Sequence, residues 1–190
     1  VVDGILGRGV ATITRPTATL RPSDTLRVAE RLARAERPLV VLGPIAAWAR
    51  RSEIVAFLAR FGAPFHAEPA SQVRFGDRPA GLAIDGLDLL LASELLGGNL
   101  GAPTRHAEPD LVVQIGGTPT SSALERFLAA RPRLSRIVLG APGPSEPPAG
   151  AEEVVIGDVD ATLAALTPNL PVRTTPGPWL ASLRALGSFT

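Results

Sequence analysis

The sequence predicts an α/β domain, a parallel sheet of five to six strands covered by helices on both faces. Three observations carry that reading. Short apolar runs of four to six residues recur along the 190-residue chain, amphipathic stretches of helical period separate them, and the runs are apolar throughout, as strands buried on both faces are.

Each element follows in order. Residues 1–22 hold Pro16 and Pro22 among Thr and Arg without a helical period, which suits an extended lead-in lying over a surface. In "PSDTLRVAERLARAERP", Ser23 or Asp24 is placed to cap a helix whose Leu26, Val28, Ala29, Leu32 and Ala33 fall roughly on one face. The strand "PLVVLG", residues 38–43, comes next, and "AAWARRSEIVAFLARFG" is a helix closed by Gly62. "APFHAEP" is the second strand and "IDGLDLLLASELL" its candidate helix; "DLVVQIGG" is the third strand and "SSALERFLAARP" its helix. "RIVLGA" and "EEVVIG" are the fourth and fifth strands, and Asp158 caps a last helix, "VDATLAAL". In the tail "LPVRTTPGPWLASLRALG", a proline-rich link leads to a short amphipathic helix whose Trp179 needs a surface to pack on, so the helix either folds back or hangs loose. The expected division is a lead-in over 1–22, a central α/β domain over 23–167, and a linker with a short helix over 168–190.

Composition narrows the function. All nineteen basic residues are Arg, the formal net charge is +1, and no basic block forms, which argues against a nucleic-acid partner. Without cysteine there is no disulfide, thiol or zinc–thiolate chemistry. No run reaches the length of a membrane span and the first residues lack a leader pattern, so a cytoplasmic protein without a membrane partner is expected. Lacking an initiator Met, the chain reads as a piece of a longer protein.

A doubly wound sheet binds ligands beyond the carboxyl ends of its strands. The first such loop, "VVLGPIAAWARR", has Gly43 followed by Pro44 and lacks the G-x-G-x-x-G spacing, and without any Lys there is no Walker lysine. The turn "GGTPTSS" offers N–H groups from Thr120 to Ala123 at a helix start, with the hydroxyls of Thr118, Thr120 and Ser121 nearby; on residue chemistry alone this reads first as a plain capped helix, and it also suits an anion. "AEPASQVRFG" gathers Ser71, Gln72 and Arg74 in the loop after the second strand. His66 and His106 show no metal-ligand spacing, Asp158 and Asp160 read as a helix start, and Arg50 and Arg51 as a solvated face. No Ser-His-Asp grouping or carboxylate pair emerges, so no catalytic or metal-binding residue is assigned.

The succession "RPLVVLGP", "FGAPFHAEPASQVRFG", "AIDGLDLLL", "PDLVVQIGGTPTSSALERFL" and "VVIGDVDATLAAL" resembles the central domain of thiamine-diphosphate-dependent enzymes. It is most similar to the 2-succinyl-5-enolpyruvyl-6-hydroxy-3-cyclohexene-1-carboxylate synthase family of menaquinone biosynthesis, over roughly residues 22–166. "AEPASQVR" resembles the family's x-x-P-L-S-Q-x-R loop, and "PDLVVQIGGTPTSSALERFL" its P-D-L-V-x-R-x-G-x-x-P-T-S-K-x-L segment. The resemblance implies a three-layer Rossmann-like (DHS-like) domain between N- and C-terminal catalytic domains of the same chain, in an enzyme that forms homo-oligomers. Such enzymes decarboxylate 2-oxoglutarate on thiamine diphosphate, with Mg²⁺, and add the succinyl unit to isochorismate. The activating glutamate and the metal-binding G-D-G motif are not found here, so this piece alone is expected to hold no cofactor or metal and to be inactive.

The resemblance also points to substrate-binding candidates: Ser71, Gln72, Arg74, Thr120, Ser121, Ser122 and Arg126. In some relatives basic residues follow the P-T-S segment and contact substrate carboxylates; here Ser122 and Ala123 stand there. Arg126 or Arg74 then supplies the charge, or the loop relies on hydroxyls and the helix dipole. Two other readings stand beside this one: a nucleotide- or flavin-binding or regulatory module of another thiamine-diphosphate enzyme, and a structural domain without a ligand.

Overall fold

The computed structural model describes residues 16–96, 108–141, 150–173 and 177–187. In chain order the elements are α1 (Pro22–Arg34), β1 (Pro38–Leu42), α2 (Arg51–Phe61), β2 (Phe65–Ala67) and α3 (Leu87–Leu96). They continue with β3 (Leu111–Ile115), α4 (Ser122–Ala129), β4 (Ser135–Ala141), β5 (Glu153–Ile156), α5 (Val159–Leu166) and α6 (Pro178–Gly187). Five strands form one wholly parallel sheet in the order β2-β1-β3-β4-β5.

Side-chain alternation along the strands divides the core into two layers. Val40, Leu42, Val113 and Ile115 point to one face and meet Val28 and Leu32 of α1, Phe57 and Phe61 of α2, and Leu163 of α5. Leu39, Val41 and Val112 point to the other and meet Leu87 and Leu91 of α3, Leu124 and Phe127 of α4, and the tail helix. The expectation of helices on both faces therefore holds, with five strands. No described helix is long and apolar enough to cross a membrane.

The tail helix folds back. Trp179, Leu180 and Leu183 are buried in the second layer, and the Trp179 indole N–H donates to the Pro38 carbonyl at 2.9 Å. Just before it, the Arg173 guanidinium donates to the carbonyls of Leu32, Ala33 and Ala35, satisfying acceptors that the end of α1 leaves open. Its charge also lies 5.2 Å over the Phe61 ring.

Three local expectations need correction. α1 begins at Pro22 with Arg21 at the cap and no side-chain cap bond, because a proline preset at φ near that of a helix starts it without one. Ser23 and Asp24 lie inside the first turn. α2 begins at Arg51, so Ala46–Arg50 precede the helix, although Gly62 closes it in the left-handed conformation at φ 66° as expected. Asp158 occupies the cap position of α5 without capping it: its carboxylate accepts from the backbone N–H of Ala18 at 2.9 Å and so holds the end of the lead-in. Residues 1–15 of the expected lead-in lie outside the described residues.

The strand order reverses between β1 and β3, where an open α/β sheet ordinarily leaves a crevice. Here backbone closes it. Gly43 N–H donates to Ile115 O at 3.1 Å, and Gly117 N–H donates to Pro44 O at 2.9 Å. A Cβ on Gly43 would stand 2.2 Å from the Gly117 carbonyl oxygen, so glycine is required by the approach of the two loops. Gly43→Ala is expected to cost at least about 1–3 kcal/mol by overpacking against rigid backbone, whereas Gly81→Ala, whose Cβ meets nothing within 4 Å, leaves the urea midpoint nearly unchanged.

Candidate functional site

With the switch-point crevice closed, the polar groups gather one strand away, at the carboxyl ends of β2 and β3. Glu68 leaves β2 directly, its backbone N–H bonded to Leu42 O at 3.0 Å, and the residue is only 3% exposed. It accepts from Thr120 N–H at 2.7 Å and Ser121 N–H at 2.9 Å through one oxygen, and from the Thr120 hydroxyl at 3.2 Å through the other. Charge-assisted bonds at the start of α4 are what offset the desolvation of this carboxylate. Of the four N–H groups expected to attract a foreign anion, those of Thr120 and Ser121 are thus occupied by an acid of the chain itself. Ser121 caps α4 by accepting from Leu124 N–H at 3.1 Å.

Ser121 continues the network outward. Its hydroxyl donates to Asp88 on α3 at 2.5 Å, and the other Asp88 oxygen lies 3.8 Å from Nε2 of buried His66. Nδ1 of His66 stands 2.9 Å from the Ile84 carbonyl, which can only accept, so Nδ1 carries the proton. His66 is a packed residue, as expected; His106 lies outside the described residues. The order Ser121–Asp88–His66 puts the carboxylate in the middle, which leaves no imidazole positioned to take the serine proton, so the trio is not a nucleophilic triad.

The loop after β2 is built by its own polar side chains. Ser71 is fully buried and its hydroxyl accepts from Val73 N–H at 3.3 Å. Gln72 sits at φ 66° and donates to Ile45 O at 3.2 Å. Arg74 is half-buried and donates to Ala67 O at 2.8 Å. From α2, Arg51 donates to the carbonyls of Gln72 and Phe75, each at 3.0 Å, and of Asp77. The expected solvated face at Arg50 and Arg51 is therefore a clamp at Arg51, while exposed Arg50 pairs with Asp160 at 2.9 Å. A two-pronged Arg78–Asp85 pair, at 3.0 and 2.8 Å, closes the far side. The hydrogen bond from Arg78 holds the Asp85 carboxyl below the usual carboxylate value, against a smaller opposing push from desolvation.

Of the candidate substrate residues, the structure brings Thr120 and Ser121 together with Glu68, and puts Ser71, Gln72 and Arg74 in the adjoining loop. Ser71 is buried, and Gln72, although exposed, spends an amide N–H on Ile45 O, so both shape the loop. Ser122 and Arg126 lie on the exposed side of α4, opposite Ala123, Leu124 and Phe127. Sequence reasoning missed Glu68 and Arg51. The signal for Glu68 was an acid directly after a short buried strand; Arg51 carried no separable signal.

A cleft of about 300 Å³ opens beside the closed crevice, at the carboxyl ends of β1, β3, β4 and β5. Gly116, Gly117 and Gly140 lie in its wall with Trp48 and Ile156, which are 67% and 52% exposed. Its charged lining is Asp158 and Asp160, with no Arg among the described residues. That does not fit a diphosphate, and no group of three or more His, Asp or Glu among the described residues could hold a metal ion. The residues present thus do not fit thiamine diphosphate with Mg²⁺.

No protein-family model matches the chain. Relatives do. The chain is 34% identical over 153 residues to 2-succinyl-5-enolpyruvyl-6-hydroxy-3-cyclohexene-1-carboxylate synthase of Rubrobacter xylanophilus, covering 80% of this chain and 25% of that protein. It is 33% identical over 136 residues to the synthase of the same name from Halobacterium salinarum, covering 68% of this chain and 21% of the relative. The chain therefore spans about a quarter or less of the relatives it matches. Among solved structures, a thiamin diphosphate-dependent enzyme from Mycobacterium smegmatis superposes with a TM-score of 0.53 at 18% identity, over 91% of this chain and 32% of its own. Benzoylformate decarboxylase from Polynucleobacter necessarius gives a TM-score of 0.52 at 18% identity, over 90% of this chain and 31% of its own. These likenesses show the shared α/β fold.

Two measurements check the site. Glu68→Gln keeps the shape and removes the charge, and is expected to lower stability by about 1–3 kcal/mol in urea unfolding, since hydrogen bonds to a charged group are the stronger kind. Asp85 binds fewer protons folded than unfolded, so its stabilisation is complete above about pH 5 and is lost as pH falls through its lowered folded value. Being half exposed, it contributes no more than about 1 kcal/mol. Arg78→Gln should flatten that acid-side slope in unfolding measured from pH 6 to pH 3.

Proposed function

Because the chain belongs to the 2-succinyl-5-enolpyruvyl-6-hydroxy-3-cyclohexene-1-carboxylate synthase family, we propose that it is the central domain of such a synthase. The complete enzyme would decarboxylate 2-oxoglutarate on thiamine diphosphate and add the succinyl unit to isochorismate. The observation that supports this reading is a domain-length match, 80% of this chain against 25% of the relative, over a segment that includes both loops of the Glu68 corner. Thiamine diphosphate and Mg²⁺ belong in this proposal to flanking catalytic domains of the same polypeptide, because the residues here fit neither. When bound there, the cofactor supplies the carbanion equivalent; this chain's residues hold and shape a wall.

In this proposal the wall is the corner between the β2 loop and the start of α4. Glu68 fixes the Thr120–Ser121 turn, Gln72 and Ser71 shape the neighbouring loop, and the hydroxyl of Thr120 and the guanidinium of Arg74 face the substrates. Arg74 takes the role of the basic residues absent at Ser122 and Ala123. It stands half-buried beside the corner, tied by one N–H to Ala67 O, whereas Arg126 points to solvent from the outer side of α4. An enzyme of this kind would act in menaquinone biosynthesis, and a homo-oligomer and a cytoplasmic location belong to the same proposal.

The test is a carboligation assay of the full-length protein with isochorismate, 2-oxoglutarate, thiamine diphosphate and Mg²⁺. Product is expected from the wild type. Arg74→Ala should lower kcat/KM for isochorismate by about tenfold or more, the loss of one charge-assisted hydrogen bond, while Arg126→Ala stays near wild type. Absence of product from folded, cofactor-loaded protein contradicts the assignment, and the reverse order of the two variants contradicts the choice of Arg74.

A further inference from the structure

Phe75 is the most exposed large apolar side chain among the described residues, with 78% of its surface open. Its loop is nevertheless fixed from every side. Arg51 holds three of its carbonyls, Gln72 adopts a backbone conformation that few residues other than glycine take, and Gly76 turns the tip at φ 78°. The Gln72 amide ties the near side to Ile45 O and the Arg78–Asp85 pair ties the far side. An aromatic ring presented on a loop that is already ordered loses little conformational freedom on docking, which is the property of an interface anchor.

The surroundings of the ring select its partner. The cations near it brace the loop: Arg51 donates to three carbonyls, Arg74 donates one N–H to Ala67 O, and Arg78 pairs with Asp85. The group presented at the loop tip is itself an apolar ring, 78% open, so its complement is an apolar hole in protein. A single convex ring flanked by polar Gln72 and Asp77 offers no flat self-complementary patch for a two-fold contact, and head-to-tail use between copies would build open chains. The Rubrobacter relative has only 25% of its length covered by this chain, leaving about three quarters of a polypeptide of that size outside residues 1–190.

We infer that Phe75 is a docking anchor, its ring seated in an apolar pocket on a part of the same polypeptide that lies outside residues 1–190. This rests on the reading of the chain as one domain of a longer synthase. Docking through Phe75 would set the distance and angle between the Glu68 corner and the rest of the enzyme, since the same loop begins at Glu68.

The experiment is amide hydrogen exchange on the full-length protein, comparing wild type with Phe75→Ala, Phe75→Leu and a surface control, Leu89→Ala. Within this domain the ring touches little, so its truncation reports docking and not the loop's own integrity. Phe75→Ala is expected to speed exchange across residues 73–77 by about tenfold or more, the effect of losing one interface anchor, with Phe75→Leu restoring most of the protection and Leu89→Ala changing nothing there. Unchanged exchange in Phe75→Ala overturns the inference, and so does protection that appears only as a second copy associates in sedimentation. Carboligation measured on the same samples separates the two proposals. Product without a Phe75 effect overturns the dock alone, and a Phe75 effect without product overturns the catalytic assignment alone.

Discussion

A carboxylate buried at the start of a helix is the constraint around which this domain's functional edge is arranged. Glu68 arrives from β2, crosses to the turn after β3, and accepts two backbone N–H groups and a hydroxyl. Leaving either side unpaired in a dry corner would cost more than the pair returns when intact, so the two loops are held as one body. Ser121 then passes the restraint to Asp88 on α3, and the loop that begins at Glu68 is locked at Gln72 and Phe75 by Arg51. Helix start, hydroxyls and loop tip are positioned together or not at all.

The closure of the switch point explains why the edge lies where it does. In open α/β sheets the reversal of strand order usually leaves a ligand crevice. Here Gly43, Pro44 and Gly117 fill it with backbone hydrogen bonds, and the cleft alongside is lined with two acids. The nucleotide-type use of the fold is thereby disfavoured, and the polar chemistry moves one strand over to the β2 and β3 loops. Arg173 and Trp179 close the opposite end of the molecule, tying the tail to α1 and β1.

What was legible in the sequence was local and periodic. The runs PLVVLG, DLVVQIGG and RIVLGA read as strands, and their strand residues are buried on both faces; Ser121 read as part of a helix start because a cap acts within three residues. Partners distant in sequence were not legible. Asp158 has the right spacing to cap α5 but spends its carboxylate on Ala18, 140 residues away, and Glu68 finds Thr120 across 52 residues. The left-handed backbone at Gln72 was equally hidden, since glutamine gives no sign of it and the contacts that hold it, from Arg51 and to Ile45 O, come from distant residues. Trp179 announced that it needed a surface; which surface was a tertiary matter.

The most direct test of the Glu68 bridge is the exchange of the Thr120 and Ser121 amide protons, followed by NMR in the wild type and in Glu68→Ala. Two amides protected well beyond the exposed loop around them are expected, with protection lost at both in the variant while the β3 amides keep theirs. Rapid exchange of Thr120 and Ser121 in the wild type would contradict the bridge, because the turn would then be open to solvent and free to take an anion of its own.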